Sequence, residues 1–243
     1  MIKKKKNKAL VVDVSGIDPI AFSLTNKYLN DSRNLKEFFK SRNIDLYFPS
    51  SCVGEFLFQH CSQESLFVGR LSLQEESIKQ AGGSIYLSDT GSFSGSSFNN
   101  DCCEIKSFQG IHNSSPQLGL WQVSTEYQNL SSNDKNIIST AMMLEKNYEY
   151  VAILSNDSDL RSYCQSYEGI SVYGTCSLLA GMVLAEIFSY QKGTAIYNKW
   201  LDEDPRWIPS DLRFKEVLNL ERQRLKDGKC FWLSRKEQLS LFN

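Results

Sequence analysis

Histidine is nearly missing from this chain: His60 and His112 are the only two in 243 residues. So little imidazole leaves scant material for a zinc centre or for catalysis by paired histidines. The seven cysteines, Cys52, Cys61, Cys102, Cys103, Cys164, Cys176 and Cys230, form no repeated CxxC and no spaced Cys/His set. A zinc site and a disulfide framework therefore lack support, and reduced thiols, several of them buried, are the expectation. No apolar run reaches the length of a membrane span, and Met1-Ile2 followed by Lys3 to Lys6 lacks the apolar stretch of a signal peptide. A cytoplasmic location without membrane contact follows as an expectation. A Walker-type phosphate loop and a dinucleotide fingerprint are missing too, which disfavours nucleotide-driven motors and dehydrogenases. Any hydrolytic chemistry falls to carboxylates.

What is present is a chain able to bury a sizeable core, with 41% hydrophobic residues and a net charge of −1. The charge is unevenly spread. Residues 1–8 hold five lysines and no acid, and Pro205 to Glu237 hold nine Lys/Arg against five Asp/Glu, so the acidic excess lies in the body, 9–204. The expected organisation is a basic tail over 1–8, one domain over 9–204 and a basic helical extension over 205–243. An acidic body between basic ends suits a carboxylate metal centre flanked by phosphate-attracting segments, although a lysine tail is also an ordinary solvated terminus.

Strands and helices alternate along the body. Ala9 to Val14 is a short β-branched run carrying Asp13 at its carboxyl end, and Asp45 to Phe48 and Ser84 to Leu87 read as two further strands. A helix capped at Asp31 or Ser32 runs through Phe38 and Phe39. Ser50-Ser51 cap a helix bearing Val53, Phe56 and Leu57 on one face, and Glu55 lies in its first turns. A helix over about 63–80 ends at Gly82-Gly83. Residues 88–117 read as a long irregular insertion. Ser131-Ser132-Asn133 opens a helix with Asp134 in its first turn. Tyr150 to Leu154 and Ile170 to Tyr173 are strands, Leu178 to Phe188 a core helix, Asp211 to Lys226 a charged amphipathic helix, and Trp232 lies in a short tail. The alternation is the α/β signature, with a parallel sheet.

Ligands of open parallel sheets bind beyond the carboxyl ends of the strands. Asp13 ends one strand, Glu55 follows a second, Asp157 ends a third, and Asp134 opens the helix that leads into the strand of Asp157. Four carboxylates gathered there would repel strongly unless cations relieved them, and oxygen-only ligands select Mg²⁺ or Mn²⁺. Such a centre activates water and neutralises a scissile phosphate. Each acid has a plainer alternative. Ser131 with Asp134 also fits a capping box, and Asp157 or Asp159 also fits a helix cap. Glu55 is harder to dismiss, because Cys52 precedes it by three. Asp13 is harder still, since an acid closing an apolar strand is expensive unless paired or metal-bound.

Four motifs in order resemble the PIN-domain nucleases. They are Val11-Val12-Asp13; Pro49-Ser50-Ser51-Cys52-Val53-Gly54-Glu55; Asn133-Asp134 ahead of Ile137, Ile138 and Ala141; and Ser155-Asn156-Asp157-Ser158-Asp159-Leu160. The resemblance covers roughly 9–188. Val14-Ser15-Gly16 departs from the hydroxyl-then-Asn/Asp pattern usual after the first acid. The 88–117 insertion and the extension after Pro205 are unlike the shortest members. The resemblance implies a three-layer α/β/α sandwich around a mainly parallel sheet, here with a C-terminal helical extension. It implies a Mg²⁺- or Mn²⁺-dependent endoribonuclease with Asp13, Glu55, Asp134 and Asp157 as metal ligands and catalytic acids, leaving a 5′-phosphate and a 3′-hydroxyl. Asp159, Ser15 and Ser155 are auxiliary, orienting carboxylates or water. Lys3 to Lys6, Lys135, Arg161, Arg213, Lys215, Arg222 and Arg224 are candidate nucleic-acid contacts. RNA, an inhibitor or regulatory protein and a second copy of the chain are the implied partners. A PIN-like scaffold that binds RNA or a protein without cutting is the competing expectation. A haloacid-dehalogenase phosphatase fits less well, because position 15 is Ser rather than the second Asp of that nucleophile motif.

Overall fold

A computed structural model describes residues 6–16, 19, 38–49, 84–87, 106–107, 130–165, 170–208, 212–234 and 237–238. Six strands among them form one sheet: β1 (Lys6–Val12), β2 (Ile44–Pro49), β3 (Ser84–Leu87), β4 (Lys106–Ser107), β5 (Tyr148–Leu154) and β6 (Ile170–Tyr173). Their order is β4-β3-β2-β1-β5-β6, and every neighbouring pair is parallel. The longer described helices are α1 (Ser132–Leu144), α2 (Ser158–Gln165), α3 (Thr175–Leu184), α4 (Tyr190–Glu203) and α5 (Phe214–Lys226). The chain is an α/β protein with a parallel sheet.

Parallel strands are covered on both faces, so their residues divide between two apolar clusters at the strand period of two. Ala9 and Val11 join one cluster with Ile137, Ile138, Ala141 and Leu144 of α1 and Leu160 and Tyr163 of α2. Leu10 and Val12 join the other, with residues of α3, α4 and α5. Arg42 closes the turn before β2, stacked over Phe38 and paired with Glu237 at 2.5 Å.

Several boundaries differ from the sequence expectations. β1 begins at Lys6, ahead of the apolar run, so the last residues of the basic tail belong to the sheet. Lys8 is buried there because its ammonium donates to the carbonyls of Phe231 (2.5 Å) and Leu233 (2.6 Å). The 88–117 segment is not wholly irregular, since Lys106–Ser107 extends the sheet beside β3. α3 starts at Thr175 and ends at Leu184 rather than spanning 178–188. α5 starts at Phe214 rather than Asp211, and the expected helix through Phe38 and Phe39 is described only from Phe38 onward. α4 escaped the sequence reading, although Gly193, Ile196, Tyr197 and Trp200 are its buried stripe at helical spacing. Gly193 hides that stripe from a hydrophobicity count. It is glycine because a Cβ would lie 2.7 Å from Val183 and 2.9 Å from the Phe214 ring. Trp232, expected in a short tail, is fully buried.

Candidate active site

The chain passes from β1 to β2 on one side of the sheet, while β5 lies on the other. That reversal makes the carboxyl ends of β1 and β5 a topological switch point, where a crevice opens in folds of this kind. Asp13 follows β1 there and Ser155 follows β5. The Asp13 backbone N–H donates to the Leu154 carbonyl at 3.0 Å, which fixes the acid against the neighbouring strand.

Asp13 is only 7% exposed. Its Oδ2 accepts from the hydroxyls of Ser15 (2.6 Å) and Ser155 (2.7 Å), and its Oδ1 accepts from the Val14 N–H (2.7 Å). Burial raises the carboxyl pKa above the usual value. The Ser15, Ser155 and Val14 hydrogen bonds oppose the rise, and the charge of Asp134 adds to it. The pKa of Asp134 is likewise raised, by burial first; its hydrogen bonds with Ser131 oppose the shift, and repulsion from Asp157 and Asp159 reinforces it. The fold thus brings Asp13 within electrostatic reach of Asp134, and Asp134 within reach of Asp157 and Asp159.

Their hydrogen bonds realise the plainer roles as well. Asp134 forms a capping box with Ser131: its Oδ2 accepts from the Ser131 N–H and hydroxyl, and its own N–H donates to Ser131 Oγ at 3.1 Å. Asp157 caps α2, with Oδ1 accepting from the N–H groups of Asp159 (2.7 Å) and Leu160 (3.0 Å). Oδ1 of Asp134 and Oδ2 of Asp157 accept no hydrogen bond among the described residues. Asp159 is exposed. Among the described residues no three His, Cys, Asp or Glu side chains are grouped so as to hold a metal ion. Glu55, the expected fourth acid, lies outside the described residues, as do Lys3 to Lys5.

Two residues that the motif reading passed over tie the site together. Asn156 donates its N–H to Ser15 Oγ (2.9 Å) and its amide to the Ser15 carbonyl (2.8 Å), and its Oδ1 accepts from the Thr175 N–H at 3.0 Å. Thr175 donates its hydroxyl to the Gly16 carbonyl at 3.1 Å. The ends of β1, β5 and β6 are thereby laced together. The only sequence signal was an Asn between Ser155 and Asp157 and a Thr opening an apolar helix. Among the candidate nucleic-acid contacts, Arg213, Lys215 and Arg222 are exposed and Lys135 is part-buried beside Asp134. Arg224 is paired with Glu221 instead, and Arg161 lines a cavity.

Gly16 makes the lacing sterically feasible. A Cβ on it would lie 2.4 Å from the Leu154 carbonyl oxygen, a backbone atom already bonded to Asp13. Gly16→Ala is expected to push the 13–16 turn off β5 and to cost about 1–3 kcal/mol, or about 2–12 °C of melting temperature. Thermal denaturation checks it, and an unchanged midpoint would show that the turn moves aside freely.

The raised carboxyl pKa values have a definite sign. A proton binds Asp13 and Asp134 more tightly in the folded chain than in the unfolded one. Their contribution to stability is therefore full below the ordinary value of 3.8 and is lost as pH rises through the folded values. Metal-free protein is expected to gain stability from these two groups as pH falls from neutral toward that value. The gain should shrink in Asp13→Asn. Melting curves in chelator across that range measure it, and an identical pH dependence in the variant would contradict the assignment.

No family model, curated protein or solved structure matches this chain.

Proposed function

We propose that the chain is a Mg²⁺- or Mn²⁺-dependent endonuclease of the PIN-domain kind, a three-layer α/β/α sandwich that hydrolyses phosphodiester bonds of RNA. The observation that supports this reading most is the buried Asp13 carboxylate at the switch point, held by two serines within electrostatic reach of Asp134. The donor set fits a hard divalent ion in kind, being carboxylate oxygens with no sulfur or imidazole, and their mutual repulsion is what such an ion relieves. Asp13, Asp134 and Asp157 would hold it, with Glu55 as the expected fourth. When bound, the ion acidifies water and neutralises charge on the phosphate. Ser15 and Ser155 keep the Asp13 carboxylate in one orientation, and Asn156 in turn fixes Ser15. Arg213, Lys215 and Arg222 offer exposed cations to the phosphates of a strand.

A scaffold that binds RNA without cutting it is favoured by one specific observation, the engagement of Asp134 and Asp157 in helix caps rather than in a ready-made group of acids. The decisive assay is incubation of purified protein with RNA and DNA oligonucleotides under Mn²⁺, Mg²⁺ or chelator, beside Asp134→Asn and Asp157→Asn. Asn caps a helix as well as Asp, so α2 survives the second change. RNA cut to 5′-phosphate products only with metal, and by neither variant, is expected. Binding of RNA without product in every metal arm would replace the nuclease with the scaffold.

A further inference from the structure

β6 closes the described sheet, paired with β5 on one side only. Its register sets Tyr173 opposite Leu154, and the Ser155 N–H donates to the Tyr173 carbonyl at 2.9 Å. In a parallel ladder one residue sends its N–H and C=O to the same neighbouring strand, and the next residue sends both the other way. Tyr173 and Ser171 therefore bond β5, and the N–H and C=O groups of Ile170 and Val172 point out of the sheet. No described residue hydrogen-bonds to them. An edge of this kind is a template for one more strand.

A cavity of about 130 Å³ opens beside the carboxyl end of this strand, with residues 172–174 as one wall. α2, which covers one face of the sheet, and α3 and α5, which cover the other, supply the rest of the lining, so the cavity lies in the gap between the two helix layers. A strand added to β6 runs along its mouth and turns a side chain into it. Ile208, Leu212, Val217 and Leu220 make that lining apolar, and Leu212 and Leu220 are 37% and 52% exposed. The volume is below the roughly 150 Å³ that admits a benzene ring, which selects a branched aliphatic side chain over an aromatic one. Charge in the lining is Arg161 and Arg224 against Glu221, which Arg224 already pairs, and Arg213, next after Leu212, is exposed. The excess is positive. We propose that the outer edge of β6 docks an extended acidic segment of another protein, which joins the sheet as a strand and sets one valine- or leucine-sized side chain in the cavity. A second copy of the chain would bring the same arginines against these, which disfavours it as the occupant. The proposal uses no acid of the candidate centre and stands apart from the nuclease reading.

Amide exchange of the whole chain in chelator, followed by NMR, tests it with a short acetylated peptide that alternates threonine and valine around a central leucine, between terminal glutamates. The N–H groups of Ile170 and Val172 are expected to exchange freely in the chain alone and about tenfold or more slowly with saturating peptide. Two forms of the peptide, N-methylated on alternate residues so that each blocks one edge, separate strand addition from apolar contact. One is expected to keep its binding and the other to lose about tenfold or more. A lysine-ended peptide is expected to bind more weakly than the glutamate-ended one. Leu220→Asp is expected to weaken the parent peptide about tenfold with the melting temperature unchanged, because Leu220 is half-exposed. Protection of both amides in the chain alone would show that its own residues cover the edge, and protection that grows with protein concentration would put a second copy there. Slowing by an RNA oligonucleotide but not by the peptide would give the edge to nucleic acid. Each of these results, or no slowing by the peptide, or equal binding of both methylated forms, overturns the proposal. Cleavage, present or absent, bears on none of them.

Discussion

Asp13→Asn is expected to reduce the proposed metal-dependent cleavage by about 10²-fold or more while leaving the metal-free protein at least as stable as the wild type. The two halves of this result have one origin. Burial makes the ionised Asp13 carboxylate unfavourable, so its charge is a liability to the fold in the absence of a cation. Asparagine keeps the shape, and the hydroxyls of Ser15 and Ser155 can each turn to accept as well as donate. The carboxylate charge alone is lost. Melting temperatures in chelator and initial rates under saturating Mn²⁺ measure the two effects on one preparation. Ser155→Ala is the companion, expected to cost about 10–100-fold at limiting metal and less at saturating metal, because it removes an orienting hydrogen bond rather than a ligand. Equal cleavage by Asp13→Asn and wild type would remove the central residue from the chemistry.

Trp232→Ala is expected to have the largest effect on stability, about 3–5 kcal/mol, or about 6–20 °C of melting temperature. The indole is fully buried, with its ring centre 5.2 Å from those of Tyr173 and Phe231. Its Nε1 donates to Ser177 Oγ at 2.8 Å, joining the hydrogen bonds that run on to Glu221 and Arg224. The α3 backbone lies so close that a Cβ on Gly181 would meet the indole Cγ at 2.4 Å, so a truncated side chain leaves a void beside a helix with no side chain there to fill it. Trp232 shares its cluster with Leu10, Val12 and Leu154 of the central strands, so the loss is felt by the whole core. Calorimetry of Trp232→Ala and Trp232→Phe should rank alanine well below phenylalanine. A loss below about 1 kcal/mol for alanine would mean that the C-terminal segment docks only loosely.

Much of the site's frame was legible in sequence because strand signals are local. Val11-Val12-Asp13 and Ile153-Leu154-Ser155 each announce a buried strand that ends in a polar residue, and parallel pairing then places both endings at one edge. Ser131 with Asp134 was legible as a capping box for the same reason, being a contact across three residues. Asn156 and Thr175 were illegible as site residues. Their importance comes from hydrogen bonds to Ser15 and Gly16, more than a hundred residues away in the chain, which no local pattern encodes. Arg224 reads as one more surface cation of an amphipathic helix, and it stays half-exposed, yet its guanidinium pairs with the buried Glu221 one turn away and stacks over Tyr173. The loss of Cβ at Gly193 and Gly181 has meaning only against Val183, Phe214 and Trp232, which different segments bring.

By itself the sequence determined the α/β class, the parallel strands and the acids that close two of them, because the periods of two and 3.6 and the caps depend on neighbours a few residues apart. Tertiary structure alone decided that the basic C-terminal helix and Trp232 complete the core and that Lys8 is buried under a distant carbonyl pair. It also decided that Asp134, held in a helix cap, lies within electrostatic reach of Asp13, Asp157 and Asp159. Those outcomes depend on which surfaces are left uncovered once the sheet has formed. The free energy of covering them is set by shape and desolvation across the chain, not by the order of residues along it.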